Sequence, residues 1–173
     1  MTSPEPTETT NLDAYGNAPL EWSRAVKALS VPPSEVITWF LGTAQPDGRP
    51  HAAGVGAMFY DGELFFTSGP GTRKSHNLAE NPACTMSVSL EGIDLVFEGH
   101  AERVTDKDTL ERLAARYREG GWPTQVADDA LTAPFSAPSA GPAPWHLFRL
   151  DFDTVVGVAG VEPHGATRWR FGA

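Results

Sequence analysis

Apolar positions follow a helical spacing near the start of the chain and change to strand-like alternation from Val36 onward. Leu20 to Leu29 predicts a helix that stops before Pro32-Pro33. Val36 to Leu41 is rich in β-formers, and Gln45-Pro46-Asp47-Gly48 has the chemistry of a tight turn. A second strand is expected from Arg49 to Tyr60, a turn at Asp61-Gly62, and a third strand from Glu63 to Thr67. Two hairpins in succession predict an antiparallel meander rather than a βαβ unit.

A short helix should run from Arg73 to about Glu80, closed by Asn81-Pro82. Ala83–Leu90 and Ile93–Val104 read as strands joined at Glu91-Gly92. In the second of these, Asp94, Glu98, His100 and Glu102 alternate with Ile93, Leu95, Phe97 and Ala101. The next helix has Thr105 as its expected cap, Asp106 and Asp108 in its first turn, and a stop at Gly120. Leu110, Leu113, Ala114 and Tyr117 form its buried stripe. Trp145–Phe152, Thr154–Val161 and Thr167–Phe171 close the chain as three more strands, and no internal repeat is present.

Two stretches lack this patterning. Residues 1–19 are polar, with few aliphatics, and read as a mobile tail preceding a single domain over 20–173. Gly121 to Pro144 is rich in Pro, Ala and Ser; a structureless connection of that length is either a functional lid or disordered, and composition does not separate the two. Six or more antiparallel strands with a few helices predict a mainly β (α+β) fold, a small barrel with helical decoration.

The 173 residues, 40% of them hydrophobic, suffice for one domain with its own core. Lys and Arg number 13 against 22 Asp and Glu, a net charge of -9, so no basic surplus exists to neutralise nucleic-acid phosphates or to hold a membrane surface. No apolar run approaches the roughly 20 residues of a spanning helix. Met1 to Thr10 has neither part of a signal peptide, and the single cysteine, Cys84, excludes a disulfide framework. The expectation is a soluble cytoplasmic protein.

Candidate chemistry concentrates in two segments. From Phe65 to Ser75 a strand ends in a glycine turn and enters a helix whose first residues, Arg73 and Lys74, are both cationic. A helix N-terminus carries positive partial charge, so each is misplaced by about 0.3–1 kcal/mol unless an anion sits there. Free backbone N–H groups, Thr72 and the two cations would then converge on it. The alternative is that both side chains bend away to nearby carboxylates. A P-loop is rejected because Arg73 and Ser68 stand where it needs glycine, and a dinucleotide fingerprint because Lys74 does.

The second segment, Ala52 to Met58, places two glycines and three alanines in a strand. Such residues suit either close approach of a large flat group to the backbone or a crowded barrel corner. The remaining signals are weak. The five histidines lack metal spacing, Cys84 reads as a small core residue, no Gly-x-Ser-x-Gly elbow is present, and no catalytic acid or base stands out. The five tryptophans read mostly as core, with Trp145 and Trp169 flanking strands that could line a cleft.

Asp47-Gly48-Arg49-Pro50-His51, Phe66-Thr67-Ser68, Thr72-Arg73-Lys74-Ser75-His76-Asn77-Leu78, Asn81-Pro82 and Glu98-Gly99-His100-Ala101-Glu102-Arg103-Val104 together resemble the pyridoxamine 5′-phosphate oxidase-like superfamily. The likeness covers roughly Val36 to Val104, more loosely to Phe171. It implies an antiparallel split β-barrel with two to four short helices, dimeric, with one flavin-type cofactor at each of two subunit-interface sites. Arg73 and Lys74 match the phosphate-gripping pair and Phe66 with Thr67 the adjoining contacts; Ser68 and Thr72, from the anion-site argument, are further expected cofactor contacts. Ala53, Gly54, Val55, Gly56 and Met58 match the ring-facing strand; Trp145, flanking a strand that could line a cleft, is a further expected cofactor contact.

Ala53 and Met58 stand where the oxidase proper has basic residues, Asp94 where it has a ring-contacting glutamine, and its C-terminal substrate segment is not recognisable. The implied cofactor is FMN, with a deazaflavin coenzyme or haem as alternatives. The implied activity is hydride transfer to or from a small organic substrate, other than pyridoxamine phosphate. A binding or carrier protein without turnover, or a scaffold that has lost its cofactor, are the competing classes. Phe135 and Trp145 are the expected neighbours of the substrate.

Overall fold

In the computed structural model, which describes residues 3–32, 35 and 37–172, the chain begins with β1 (Glu8–Asn11) and α1 (Trp22–Leu29). Two hairpins follow, β2 (Trp39–Ala44) with β3 (Pro50–Val55) and β4 (Ala57–Tyr60) with β5 (Glu63–Ser68). Then come α2 (Arg73–Glu80), β6 (Ala83–Leu90), β7 (Ile93–Val104), α3 (Lys107–Glu119) and the small hairpin β8 (Gln125–Ala127) with β9 (Ala130–Thr132). β10 (His146–Ala159) and β11 (Gly165–Arg170) complete a mainly antiparallel, split-barrel α+β fold. No helix among the described residues is long and apolar enough to cross a membrane.

The barrel is made by strands that change partners. The strand expected from Arg49 to Tyr60 breaks at Gly56: β3 pairs with β2, whereas β4 pairs with β5. Gly56 is the corner, and its carbonyl accepts from Thr67 N–H at 3.2 Å, carrying the ladder around the bend. The two strands expected at 145–152 and 154–161 are one, β10, which lies along β7 with a bulge between Phe152 and Thr154. Its first half pairs with β5 and its second half with β11. Gly99 permits this, because a Cβ there would fall on the Asp151 carbonyl.

Three further expectations change. Thr105 does not cap α3; Asp106 does, its carboxylate accepting from Thr109 N–H at 2.9 Å. Glu8–Asn11, within the segment read as a mobile tail, pairs with β11, and Trp22 Nε1 donates to the Pro4 carbonyl at 2.8 Å. The 121–144 stretch is not structureless throughout: β8 and β9 turn at Asp128 (φ +54°), and Leu131 and Trp145 exchange backbone hydrogen bonds of 2.9 and 2.8 Å. β2 begins at Trp39; Val36, expected as its start, lies outside the described residues.

The core fills both sides of β5. Leu64 and Phe66 face the barrel interior, where Phe66 stacks on Phe148 at 5.2 Å between centroids. Phe65 faces the other way, onto Leu110, Leu113, Ala114 and Tyr117 of α3. A strand buried on both faces explains the unbroken apolar run Leu64-Phe65-Phe66. The end of β5 and the C-terminal end of α3 are thus fixed on either side of one space.

Candidate functional site

That space is a cavity of about 510 Å³, within the range of small-molecule sites. One wall comes from the barrel: Gly54, Val55 and Gly56 at the β3 corner, Thr67, Ser68 and Gly69 at the end of β5, and Lys74 of α2. β3 has β2 as its single strand partner among the described residues, so its other edge offers backbone groups that no strand engages. The second wall comes from the end of α3 and the segment after it, with Tyr117, Trp122, Phe135 and Trp145.

The turn joining β5 to α2 is locked by hydroxyl groups. Ser68 Oγ lies 2.6 Å from Ser75 Oγ and 3.1 Å from Thr72 Oγ1, while Thr72 and Ser75 each donate to the Gly69 carbonyl at 2.8 Å. Thr72 is also the N-cap of α2, accepting from Ser75 N–H at 3.4 Å. Gly69 is required here, since a Cβ would fall on the Ala140 carbonyl oxygen of the covering segment. That segment is anchored twice more: Trp122 Nε1 donates to the Phe135 carbonyl at 2.6 Å and Trp145 Nε1 to that of Gly141 at 3.2 Å.

The two cations that open α2 part company. Arg73 is exposed and donates from Nη1 to Gln45 Oε1 at 2.9 Å, tying the helix to the β2–β3 turn. Lys74 turns inward, with 8% of its surface exposed, and it is the only charged side chain among the described residues lining the cavity. Burial alone pushes its pKa below the usual 10.5; no carboxylate offsets it. A buried ammonium without a counter-charge is costly by itself and well placed for an anion. In a chain of net charge -9, this spot is locally positive.

A family model for pyridoxamine 5′-phosphate oxidase matches residues 29–158. The chain belongs to that family. Structures of similar fold include an FMN-binding protein related to pyridoxamine 5′-phosphate oxidase from Nostoc punctiforme, 19% identical over 84% of this chain and 85% of that one, with a TM-score of 0.51. A structure named F420 reductase is 23% identical over 75% of this chain and 93% of its own, at 0.50. A candidate 5-nitroimidazole antibiotic resistance protein from Bacteroides thetaiotaomicron is 14% identical over 94% and 89%, at 0.58. At these identities the likeness is one of fold. No curated protein matches the chain in sequence.

Of the residues that the family resemblance singles out, the cavity gathers Gly54, Val55, Gly56, Thr67, Ser68, Lys74 and Trp145. Five lie elsewhere. Ala53 pairs with Leu41 on β2 and is not on the cavity wall; Met58 packs on the α3 cluster; Phe66 is fully buried in the main core. Thr72 spends its hydroxyl on the turn, and Arg73 reaches Gln45. Asp94 is exposed at the start of β7, beside an open depression on the outer sheet face rather than the cavity.

The sequence reading missed Gly69, Tyr117 and Trp122. Tyr117 carries a core stripe and a cavity wall at once, and the signal for Trp122 is a large aromatic at the head of a stretch dominated by Pro, Ala and Ser. His146, opposite Ser68 in the β10–β5 ladder, has its pKa lowered by burial and by Arg103. No group of three or more His, Cys, Asp or Glu able to hold a metal occurs among the described residues.

Proposed function

We propose that this protein is an oxidoreductase that holds a phosphate-bearing flavin-type cofactor in the cavity, with the anionic tail on Lys74 and the ring along Gly54–Gly56. The observation that carries this reading is the buried, unpaired Lys74 in a cavity whose neighbouring wall is an unengaged strand edge free of side chains at Gly54 and Gly56. A flat conjugated ring needs such an edge, and a phosphate needs such a cation. The cofactor, when bound, would supply hydride transfer. The chain's own residues bind and orient it: Thr67 and Ser68 bound its site, and the segment over Gly69 covers one side of it.

FMN and a deazaflavin coenzyme both fit these features. Haem fits less well, because the described cavity wall holds no His, Cys or Met to ligate iron, and the Tyr117 hydroxyl is buried away from the open space. The substrate is a small organic molecule. The functional unit is a homodimer: Phe40, Val96 and Val158 stand 50%, 37% and 47% exposed on the outer face of the sheet, an apolar patch that a second copy would cover. The one thiol, Cys84, is buried and pushed up to about 11, inert chemistry that suits the cytoplasm.

The test is spectroscopic. After equilibration with FMN or the deazaflavin coenzyme, the protein should carry a bound chromophore that is bleached anaerobically by a hydride donor and restored by an organic acceptor. Failure to bind either chromophore would sink the reading; binding without cycling would make the protein a carrier.

A further inference from the structure

We infer that the cavity's second wall is a substrate-contacting face selective for planar, uncharged aromatic compounds, an inference that rests on the cofactor reading above. The wall is continuous: Tyr117 and Trp122 meet edge to face at 5.1 Å, and Trp122 and Trp145 are tilted by 51° at 5.6 Å. Both indole N–H groups are already committed to carbonyls of the covering segment, Trp122 to Phe135 and Trp145 to Gly141. What the two indoles leave for a ligand is ring surface, and the Tyr117 hydroxyl, unpartnered, is buried away from the open space.

Phe135 is a separate sign. It is the large apolar residue of the covering segment, it lines the cavity, and it remains 59% exposed. A phenyl ring held at a cavity rim by its backbone carbonyl, and covered by nothing in the fold, is available to a bound molecule. Charge narrows the class further. The described lining holds no carboxylate to meet a cation, and its one cation, Lys74, is neutralised once a phosphate occupies it. A charged substrate would lose its hydration without a partner, whereas a neutral ring gains apolar and aromatic contact.

The experiment is calorimetric titration of the FMN-saturated protein with 2-naphthamide, with its fully saturated ring analogue, and with 2-naphthoate, for wild type and Phe135→Ala. Naphthamide should bind tighter than either comparator, by roughly three- to tenfold over the saturated ring. Phe135→Ala should cut naphthamide affinity by about threefold or more and leave FMN affinity unchanged; at 59% exposure the ring's loss does not threaten the fold. Equal binding of the saturated analogue, tighter binding of naphthoate, or displacement of FMN by naphthamide would overturn the inference. So would loss of FMN rather than naphthamide affinity in Phe135→Ala, because the aromatic wall would then belong to the cofactor. Should the protein bind no cofactor, the proposed function fails by itself; naphthamide against its saturated analogue, on wild-type and Phe135→Ala apoprotein, still upholds or overturns the aromatic face.

Discussion

Replacing Gly69 by alanine should detach the covering segment from the cavity. The added Cβ would fall on the Ala140 carbonyl oxygen, well inside the 3.0 Å that real Cβ contacts keep, so one side must move by on the order of 1 Å. The turn cannot yield easily, since Thr72 and Ser75 both donate to the Gly69 carbonyl and Ser68 holds their hydroxyls. The segment is held more lightly, by two indole hydrogen bonds worth about 0.5–1.5 kcal/mol each. A total cost of about 1–3 kcal/mol follows, a fall in Tm of roughly 2–12 °C for a domain this size. Thermal unfolding should show that fall, and limited proteolysis should cut between 133 and 144 faster than in wild type. Gly71→Ala is the control, because a Cβ at Gly71 meets nothing within 4 Å. Wild-type Tm and protease resistance in Gly69→Ala would refute the packing of this segment on the turn.

Lys74→Met should act in opposite directions on stability and binding. Removal of a buried unpaired charge stabilises the unliganded fold by on the order of 1 kcal/mol, whereas affinity for a phosphate-bearing flavin falls by about tenfold to a hundredfold; Arg73→Ala, at an exposed position on Gln45, should change affinity by less than about threefold. Unfolding curves and cofactor titrations on the same samples check both signs. Because the folded pKa of Lys74 lies below 10.5, the unfolded chain binds more protons between those two values. Unliganded stability therefore rises with pH across that window while anion affinity falls, and flat profiles in denaturant unfolding and titration would contradict this. Phe40→Glu, on the half-exposed outer face, should convert a dimer to a monomer in sedimentation equilibrium, with Tm falling only as far as the lost association explains; an unaltered mass would place the interface elsewhere.

Elements announced by local chemistry were legible in the sequence. Asp61-Gly62 and Glu91-Gly92 turn where expected, with positive φ at Asp61, Gly62 and Gly92, and α2 matches its predicted span. Decisions made by tertiary partners were not. The run of small residues through Gly56 allows a barrel corner, but nothing local fixes which residue turns or that the strand leaves β2 for β5. Asp153 resembles a turn residue, although β7 holds β10 continuous across the bulge. Glu8–Asn11 is too polar to announce a strand, because it is held through backbone bonds to β11 rather than by buried side chains.

The candidate site shows the same division. Small residues at β3 and the basic helix start point to the cavity, yet the local pattern treats Arg73 and Lys74 alike. One residue step around a helix turns a side chain by about 100°, so neighbours point in different directions, and here Lys74 enters the cavity while Arg73 reaches Gln45. Which of them turns inward depends on how α2 packs, and packing is not written in the local pattern. Tyr117 was hidden for a related reason, as a single ring that serves both the α3 core and the cavity wall.

Affinity for FMN compared with riboflavin, in wild type and in Lys74→Met, tests the central claim most directly, because the two ligands differ by the phosphate alone. Wild type should prefer FMN by on the order of tenfold or more, and the preference should vanish in the variant. If FMN gives no such preference, the deazaflavin coenzyme and its tail-free chromophore should. A phosphate preference of the same size with and without the Lys74 ammonium would contradict the account.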